Sequence, residues 1–374
     1  MRHRTVLSAA LGAASLCTLL GSREARAQAG STQENVDNIG YGTRAAEFLL
    51  LPVGARATAL GSAYSALADD PSALYWNPAG VALAKQRGAS VSRLEYLAKT
   101  SYTWGGLIVP LGLGTWVVGA QFGGFSFGEQ QIYTVDQPEG TGSFYSNSMF
   151  MGGATLAMNV TDRFSFGGTA KYVQETFFNT SGGTVAFDIG SNYHTTVAGR
   201  PFRAAFSLLN LGGNIRLSGS ALGLRVDNND PSFPDREDPA ELKTQSFALP
   251  VEFKVGVGWQ ALASPTNSLW LNGEFWQPQQ NSTSTAVGAE YSLHPSGASG
   301  LSLALRGGYA YEPDRAYTAP GGADLGDKSS DGLSFGGGLG FRPREKGLGL
   351  NIDYAYRSMG LLGGTNLFSV NVSW

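Results

Sequence analysis

The chain has 374 residues, of which only 15 % are charged, with 26 Lys plus Arg against 29 Asp plus Glu and a net charge of −3. That acidic balance argues against nucleic acid as a partner. One cysteine, Cys17, excludes a disulfide framework and a Cys-based metal site.

The N-terminus reads as an export signal. Arg2 and Arg4 form a positive region, Val6 to Leu20 a short apolar core, and Ala25-Arg26-Ala27 the small residues a signal peptidase needs, so residues 1–27 are expected to be removed. Leu16 stands where a lipoprotein signal needs a small residue before Cys17, which favours export without a lipid anchor. Loss of four arginines and one glutamate with the leader leaves 22 basic and 28 acidic residues, a net charge near −6.

Residues 28–87 form the next unit. From Arg56 to Ala68, Ala57, Leu60, Ala63, Tyr64 and Leu67 fall at helical spacing and no strand alternation is present. Asp70-Pro71 and Asn77-Pro78 then read as helix starts, an Asx cap followed by a proline with no donor to leave unpaired. The spacing predicts a string of short helices over 44–87.

Beyond residue 87 the period changes to two. Leu348, Leu350, Ile352, Tyr354 and Tyr356 share one strand face, with Asn351, Asp353 and Arg357 on the other; Val185, Phe187 and Ile189 face away from Asp188, and Leu301, Leu303 and Leu305 away from Arg306. After the leader no apolar run reaches the roughly 18 to 20 residues of a spanning helix. A chain crossing a bilayer without such helices must do so as a closed barrel, the other arrangement that pairs every backbone amide. Gly 52 and 11 % aromatic residues suit such a wall.

Strands are expected near 88–97, 101–110, 113–126, 144–159, 162–177, 183–197, 202–212, 246–262, 267–277, 283–294, 299–312, 332–342, 347–358 and 365–374. Fourteen is an even number, as single-chain bacterial barrels have. Short turns would face the periplasm and the long stretches 127–143, 213–245 and 313–331 the outside. The longest, with Asp227, Asp230, Asp235, Glu237 and Asp238, would be either mobile or folded against a partner, its acids solvated and not metal-binding. The last strand puts Phe368, Val370, Val372 and Trp374 on one face and ends on an interfacial aromatic, a barrel assembly signal.

A barrel this wide needs a plug or is an open channel, so the helical segment is expected to close the lumen. Within it Asp69, Asp70, Asn77, Pro78, Ala79 and Gly80 are the candidate functional positions. Asp69, Asp70, Asn77 and Pro78 are expected to cap and start short helices, and Asp69 or Asp70 is expected also to pair with an inner-wall arginine such as Arg306 or Arg357. A charge in a confined lumen needs a partner.

The stretch Phe48-Leu-Leu-Leu-Pro-Val-Gly-Ala-Arg-Ala-Thr-Ala-Leu-Gly-Ser-Ala-Tyr64, followed by Ala68-Asp-Asp-Pro-Ser-Ala-Leu-Tyr-Trp-Asn-Pro-Ala-Gly80, resembles the opening of the PorV/PorQ family. Its wider relatives are the FadL-type outer-membrane transport proteins, whose hatch carries an Asn-Pro-Ala motif matching Asn77, Pro78 and Ala79. Phe247 to Gly256 is similar to a mid-barrel segment of the family. The resemblance implies a fourteen-stranded all-β barrel (88–374) with an N-terminal helical hatch. It also implies one of two roles. PorV-type members carry cargo proteins in type IX secretion; FadL-type members pass long-chain fatty acids or other hydrophobic compounds, with hatch movement and a lateral opening.

His194 and His294, the two histidines outside the leader, lie in no nucleophile or metal motif, so no enzyme, metal or cofactor is expected. Charge is too sparse for the facing rings of a general porin. The expectation is an outer-membrane barrel whose partners are lipid, the barrel assembly machinery, and secreted or translocon proteins met by its long acidic loops. Hydrophobic small molecules are the alternative.

Overall fold

The structure, a computed structural model, describes residues 42–112, 115–227, 237–279, 283–295, 300–312, 331–343 and 347–374. The expected leader 1–27, the start of the following segment, the tip 228–236 of the longest loop and most of 313–331 lie outside the described residues.

Fourteen antiparallel strands close into a barrel. They are β1 (Gly88–Glu95), β2 (Ser101–Leu111), β3 (Trp116–Gln131), β4 (Phe144–Thr161), β5 (Phe164–Phe177), β6 (Thr180–Val197), β7 (Arg200–Gly212), β8 (Glu252–Ala263), β9 (Asn267–Pro278), β10 (Ser284–Leu293), β11 (Leu301–Tyr311), β12 (Leu333–Phe341), β13 (Gly349–Ser358) and β14 (Gly364–Ser373). Each pairs with the next, and β14 returns to β1 from Gly88 opposite Ser373 to Glu95 opposite Asn366, leaving no open edge.

The alternation resolves into an apolar exterior and a polar interior. Val185, Phe187, Leu305, Ile352, Phe368 and Val370 are exposed on the outer face, while Asp188, Glu252, Lys254, Asp353 and Arg357 are buried on the inner one. This inversion of a soluble protein's pattern is what a lipid-facing wall requires. Trp116, Phe166, Tyr193, Phe341 and Trp374 are exposed near the short-turn end, a set of aromatics at one interface.

Two strands depart from the expected spans. β3 continues to Gln131, past a bulge between Ser126 and Glu129. The expected strand 246–262 is broken: Ser246–Ala248 pairs with Asn214–Arg216, and β8 starts only at Glu252. Pro250, with no N–H to give a ladder, separates the two pieces.

The described part of the longest loop forms short strand pairs. Gly223–Asp227 pairs with Glu237–Glu241 above the 214–216/246–248 hairpin, and Ser218 bridges to Ser181 of β6. Its base is anchored by Ile215 and Leu249, each 1 % exposed.

Inside the barrel lies the hatch. It is made of a 3₁₀ turn (Glu47–Leu50), α1 (Ala55–Ala59), α2 (Ala73–Trp76) and a second 3₁₀ turn (Pro78–Leu83). The helix expected over 56–68 stops after five residues. Gly61 and Ser62 both take left-handed φ, 66° and 72°, which reverses the chain there. Gly61 also passes so close to β11 that an added Cβ would stand 2.8 Å from the Tyr309 nitrogen.

The wall is cut to receive this segment. A Cβ on Gly308 would meet the Leu60 carbonyl carbon at 2.1 Å, one on Gly190 the Asn77 Oδ1 at 2.1 Å, and one on Gly167 the Pro78 oxygen at 2.4 Å. Glycine at these inward positions is therefore a matter of space for the plug.

Removing Phe368 to Trp374 deletes most of the ladder that joins β14 to β1 and β13, so the barrel is expected to lose closure. Heat-modifiable migration and outer-membrane fractionation check this. A truncated chain that still migrates as a folded barrel contradicts it.

Candidate functional site

The hatch divides the lumen into two chambers of opposite character. The outer one, about 970 Å³, lies at the long-loop end. Its floor is hatch (Phe48, Leu51, Trp76), its wall includes Phe125 and Trp276, and the long loop's Ile215, Leu217 and Phe247 close over it. The inner one, about 280 Å³ at the short-turn end, is lined by Arg56, Asp69, Asp70, Glu290, Arg306 and Asp353 among others. The first suits an apolar guest and the second suits water.

Between the chambers the hatch is held by polar atoms of the inner wall. Gln121 Nε2 donates to the Leu74 carbonyl (2.8 Å), Asn159 Nδ2 to Ala82 (3.0 Å), Ser165 Oγ to Ala79 (3.1 Å) and Asn192 Nδ2 to Ala66 (3.3 Å). In the reverse sense Ala46 N donates to Glu175 Oε1 (2.8 Å) and Ala55 N to Ser369 Oγ (3.1 Å). Asn77, fully buried, accepts from Ala79 N (3.1 Å) and donates to the carbonyls of Ser65 (3.2 Å) and Ser191 (3.1 Å), so one side chain caps the second 3₁₀ turn and ties it to β6. Pro78 occupies the first position of that turn.

At the short-turn side the attachment is ionic. Arg56 of α1 forks onto Glu290 of β10, Nε and Nη2 each 2.8 Å from a carboxylate oxygen. Its Nη1 reaches Asp69 at 2.9 Å, and the other oxygen of Asp69 takes Arg203 Nη1 of β7 at 3.0 Å. Arg306 of β11 joins Glu290 to Asp353 of β13 by two 2.7 Å contacts. The chain Arg203–Asp69–Arg56–Glu290–Arg306–Asp353 thus crosses the lumen, passing through the hatch at Asp69 and Arg56. Bidentate, charge-assisted geometry makes such contacts strong, and removing one partner of a buried pair strands the other's charge.

Asp69 therefore does contact a wall arginine, but Arg203 takes the place expected for Arg306 or Arg357. Arg306 is held by Glu290 and Asp353, and Arg357 by Glu312 at 2.9 Å. Asp70 stays within the hatch, accepting from Ser72 N (2.9 Å) and Tyr64 Oη (2.7 Å). Ala79 and Gly80 are buried, and a Cβ on Gly80 would stand 2.0 Å from the Ala68 oxygen. Phe368, Val370, Val372 and Trp374 belong to the outer surface and take no part in this site.

Arg56, Arg203 and Glu290 escaped the sequence reading. Arg203 sits in a strand, 202–212, that like the first alternates only weakly in sequence, and Arg56 stands at the start of the helical repeat. A second buried pair also escaped: Lys171 lies 2.8 Å from Asp188, whose Oδ1 accepts from Asn210 N at 2.7 Å, beside the β6–β7 register shift at Phe187/Ile189.

No family model matches the chain, and no curated protein matches it. Solved structures do. The toluene transporter TbuX of Ralstonia pickettii is 14 % identical over 87 % of this chain and 98 % of its own, with a TM-score of 0.50. The monoaromatic hydrocarbon channel CymD is 10 % identical over 87 % and 97 %, at 0.52. The Pseudomonas putida toluene transporter TodX is 11 % identical over 86 % and 96 %, at 0.50. The chain has the fold of these outer-membrane channels. At such identity the likeness is one of architecture.

Burial alone would raise the Asp69 carboxyl, but Arg56 and Arg203 outweigh it and hold its pKa below the ordinary carboxylate value. A depressed folded pKa gives stability that is present above the unfolded value and lost as pH falls through the folded one. In planar bilayers the protein is accordingly expected to stay closed at about pH 4, where a free aspartate is half protonated, and to open only in stronger acid. Asp69→Asn is expected to conduct at neutral pH. Arg56→Ala, which strands Glu290 and Asp69 together, is expected to destabilise the plugged state by about 3 kcal/mol. Ion currents in wild type equal to those of Arg56→Ala would refute the latch.

Proposed function

We propose that the protein is a conduit for hydrophobic small molecules across the outer membrane, with the outer chamber as its capture site. The observation that carries this reading is the chamber itself: about 970 Å³, walled by aromatic and aliphatic side chains from hatch, barrel and long loop, and closed beneath by a plug with an ionic latch. Apolar area of this kind is worth roughly 25 cal/mol per Å² to a guest that leaves water. The likeness to two toluene transporters and a monoaromatic hydrocarbon channel supports the same reading.

Of the two roles the resemblance implies, transport now stands first. Attachment to a secretion system of the PorV/PorQ kind drew on the long acidic loop as a contact surface, whereas the described base of that loop pairs with β6 and with 246–248, and Ile215, Leu217 and Phe247 line the chamber. The grouping with PorV/PorQ rests on the 48–80 stretch. Passage then requires the segment around Asn77 and Asp69 to shift, since the hatch floors the chamber.

Leu217→Trp fills the chamber from its roof and leaves the latch untouched. In cells whose own channels for apolar solutes are deleted, the wild-type protein is expected to raise uptake of a neutral apolar dye, and Leu217→Trp to lower that gain several-fold. Equal uptake by the filled variant, or none by either with a secreted protein crosslinked to the long loop, would overturn the transport reading.

A further inference from the structure

The outer chamber is apolar in shape but unbalanced in charge. Among its described lining residues, five glutamates, Glu47, Glu175, Glu252, Glu274 and Glu312, face three bases, Arg44, Lys254 and Arg357. Two of the bases are already bound: Lys254 Nζ lies 3.1 Å from Glu252, and Arg357 Nη2 2.9 Å from Glu312. The hydrogen bonds to Glu175 and Glu274 come from neutral donors, Ala46 N for the first and the amide and hydroxyl of Ser65 for the second, while Lys254 is near enough for its charge to act on Glu274. Both glutamates are nearly enclosed, 6 % and 5 % exposed.

The floor next to them already holds one ammonium, the protein's own Lys254. Lys254 Nζ rests 4.8 Å from the centre of the Trp76 ring, flanked by Glu252, and Trp276 lies two residues from Glu274 on the same inward face of β9. An aromatic face with a carboxylate beside it favours a cation when water is excluded. A carboxylate guest would meet the opposite field. Arg44 is the third base among the lining residues.

We infer that the outer chamber discriminates among apolar molecules by the charge of their polar end, preferring an alkyl or aryl amine, admitting neutral molecules and rejecting fatty-acid carboxylates. This rests on the transport reading and narrows it to a substrate class. The protonated amine would lie by Glu274 and Glu175, with its hydrocarbon against Phe125, Trp276 and Leu217.

A matched trio tests it: octylamine, octanol and octanoate, titrated at neutral pH into the full-length protein in zwitterionic lipid discs and read by tryptophan fluorescence, with empty discs correcting for partition. Octylamine is expected to bind about tenfold more tightly than octanoate, a difference of 1.4 kcal/mol, with octanol between them. Glu274→Gln and Glu175→Gln, checked as folded by heat-modifiable migration, are each expected to shrink the amine-to-carboxylate ratio several-fold. Octanoate binding as well as octylamine, or a ratio unchanged in both variants, overturns the charge preference and leaves transport standing if octanol binds. Binding of none of the three overturns the transport reading together with it.

Discussion

A plug of irregular backbone inside a barrel must find a partner for each of its amides and carbonyls where little water reaches, and this requirement organises the molecule. The inner face of the wall meets it with a scatter of polar side chains, each aimed at one hatch atom: Gln121 at Leu74, Asn159 at Ala82, Ser165 at Ala79, Asn192 at Ala66. Between those side chains the wall supplies glycines, so that Leu60, Asn77 and Pro78 approach strand backbone more closely than any Cβ permits. Gly167, Gly190 and Gly308 are part of this fit.

The charges that remain are sorted by depth. Toward the short turns they alternate in sign from Arg203 to Asp353 and hold hatch to wall, with a small polar chamber around them. Toward the long loops five glutamates and three bases line an apolar chamber. In the proposed transport role, an apolar guest would gain by entering from outside and lose by moving on into the ionic layer. The latch would then be both the barrier to ions and the reason the guest is held above it.

Strand positions were legible because lipid outside and polar plug inside impose a strict period of two on every wall segment, as Leu348 to Tyr356 and Val185 to Ile189 display. The period failed where other forces act. Pro250 split one strand, the Ser126/Glu129 bulge carried another beyond the expected end, and Gly61-Ser62 cut a helical repeat to five residues in order to pass Tyr309. Asn77 was legible as a cap because its chemistry is local. Its second bond, to Ser191, and the pairing of Asp69 with Arg203 were not, because they join residues 114 and 134 positions apart, and only closure of the barrel brings them together.

The central claim is that an apolar molecule resides above a latched hatch. Crystals of the full-length protein soaked with 1-bromooctane and measured at the bromine absorption edge test it most directly. The account predicts an anomalous peak inside the outer chamber, between Phe125, Trp276 and Leu217, with the Arg56–Glu290 and Asp69–Arg203 contacts intact. Bromine confined to the lipid-facing belt, or found in the inner chamber beside Arg306, would contradict it.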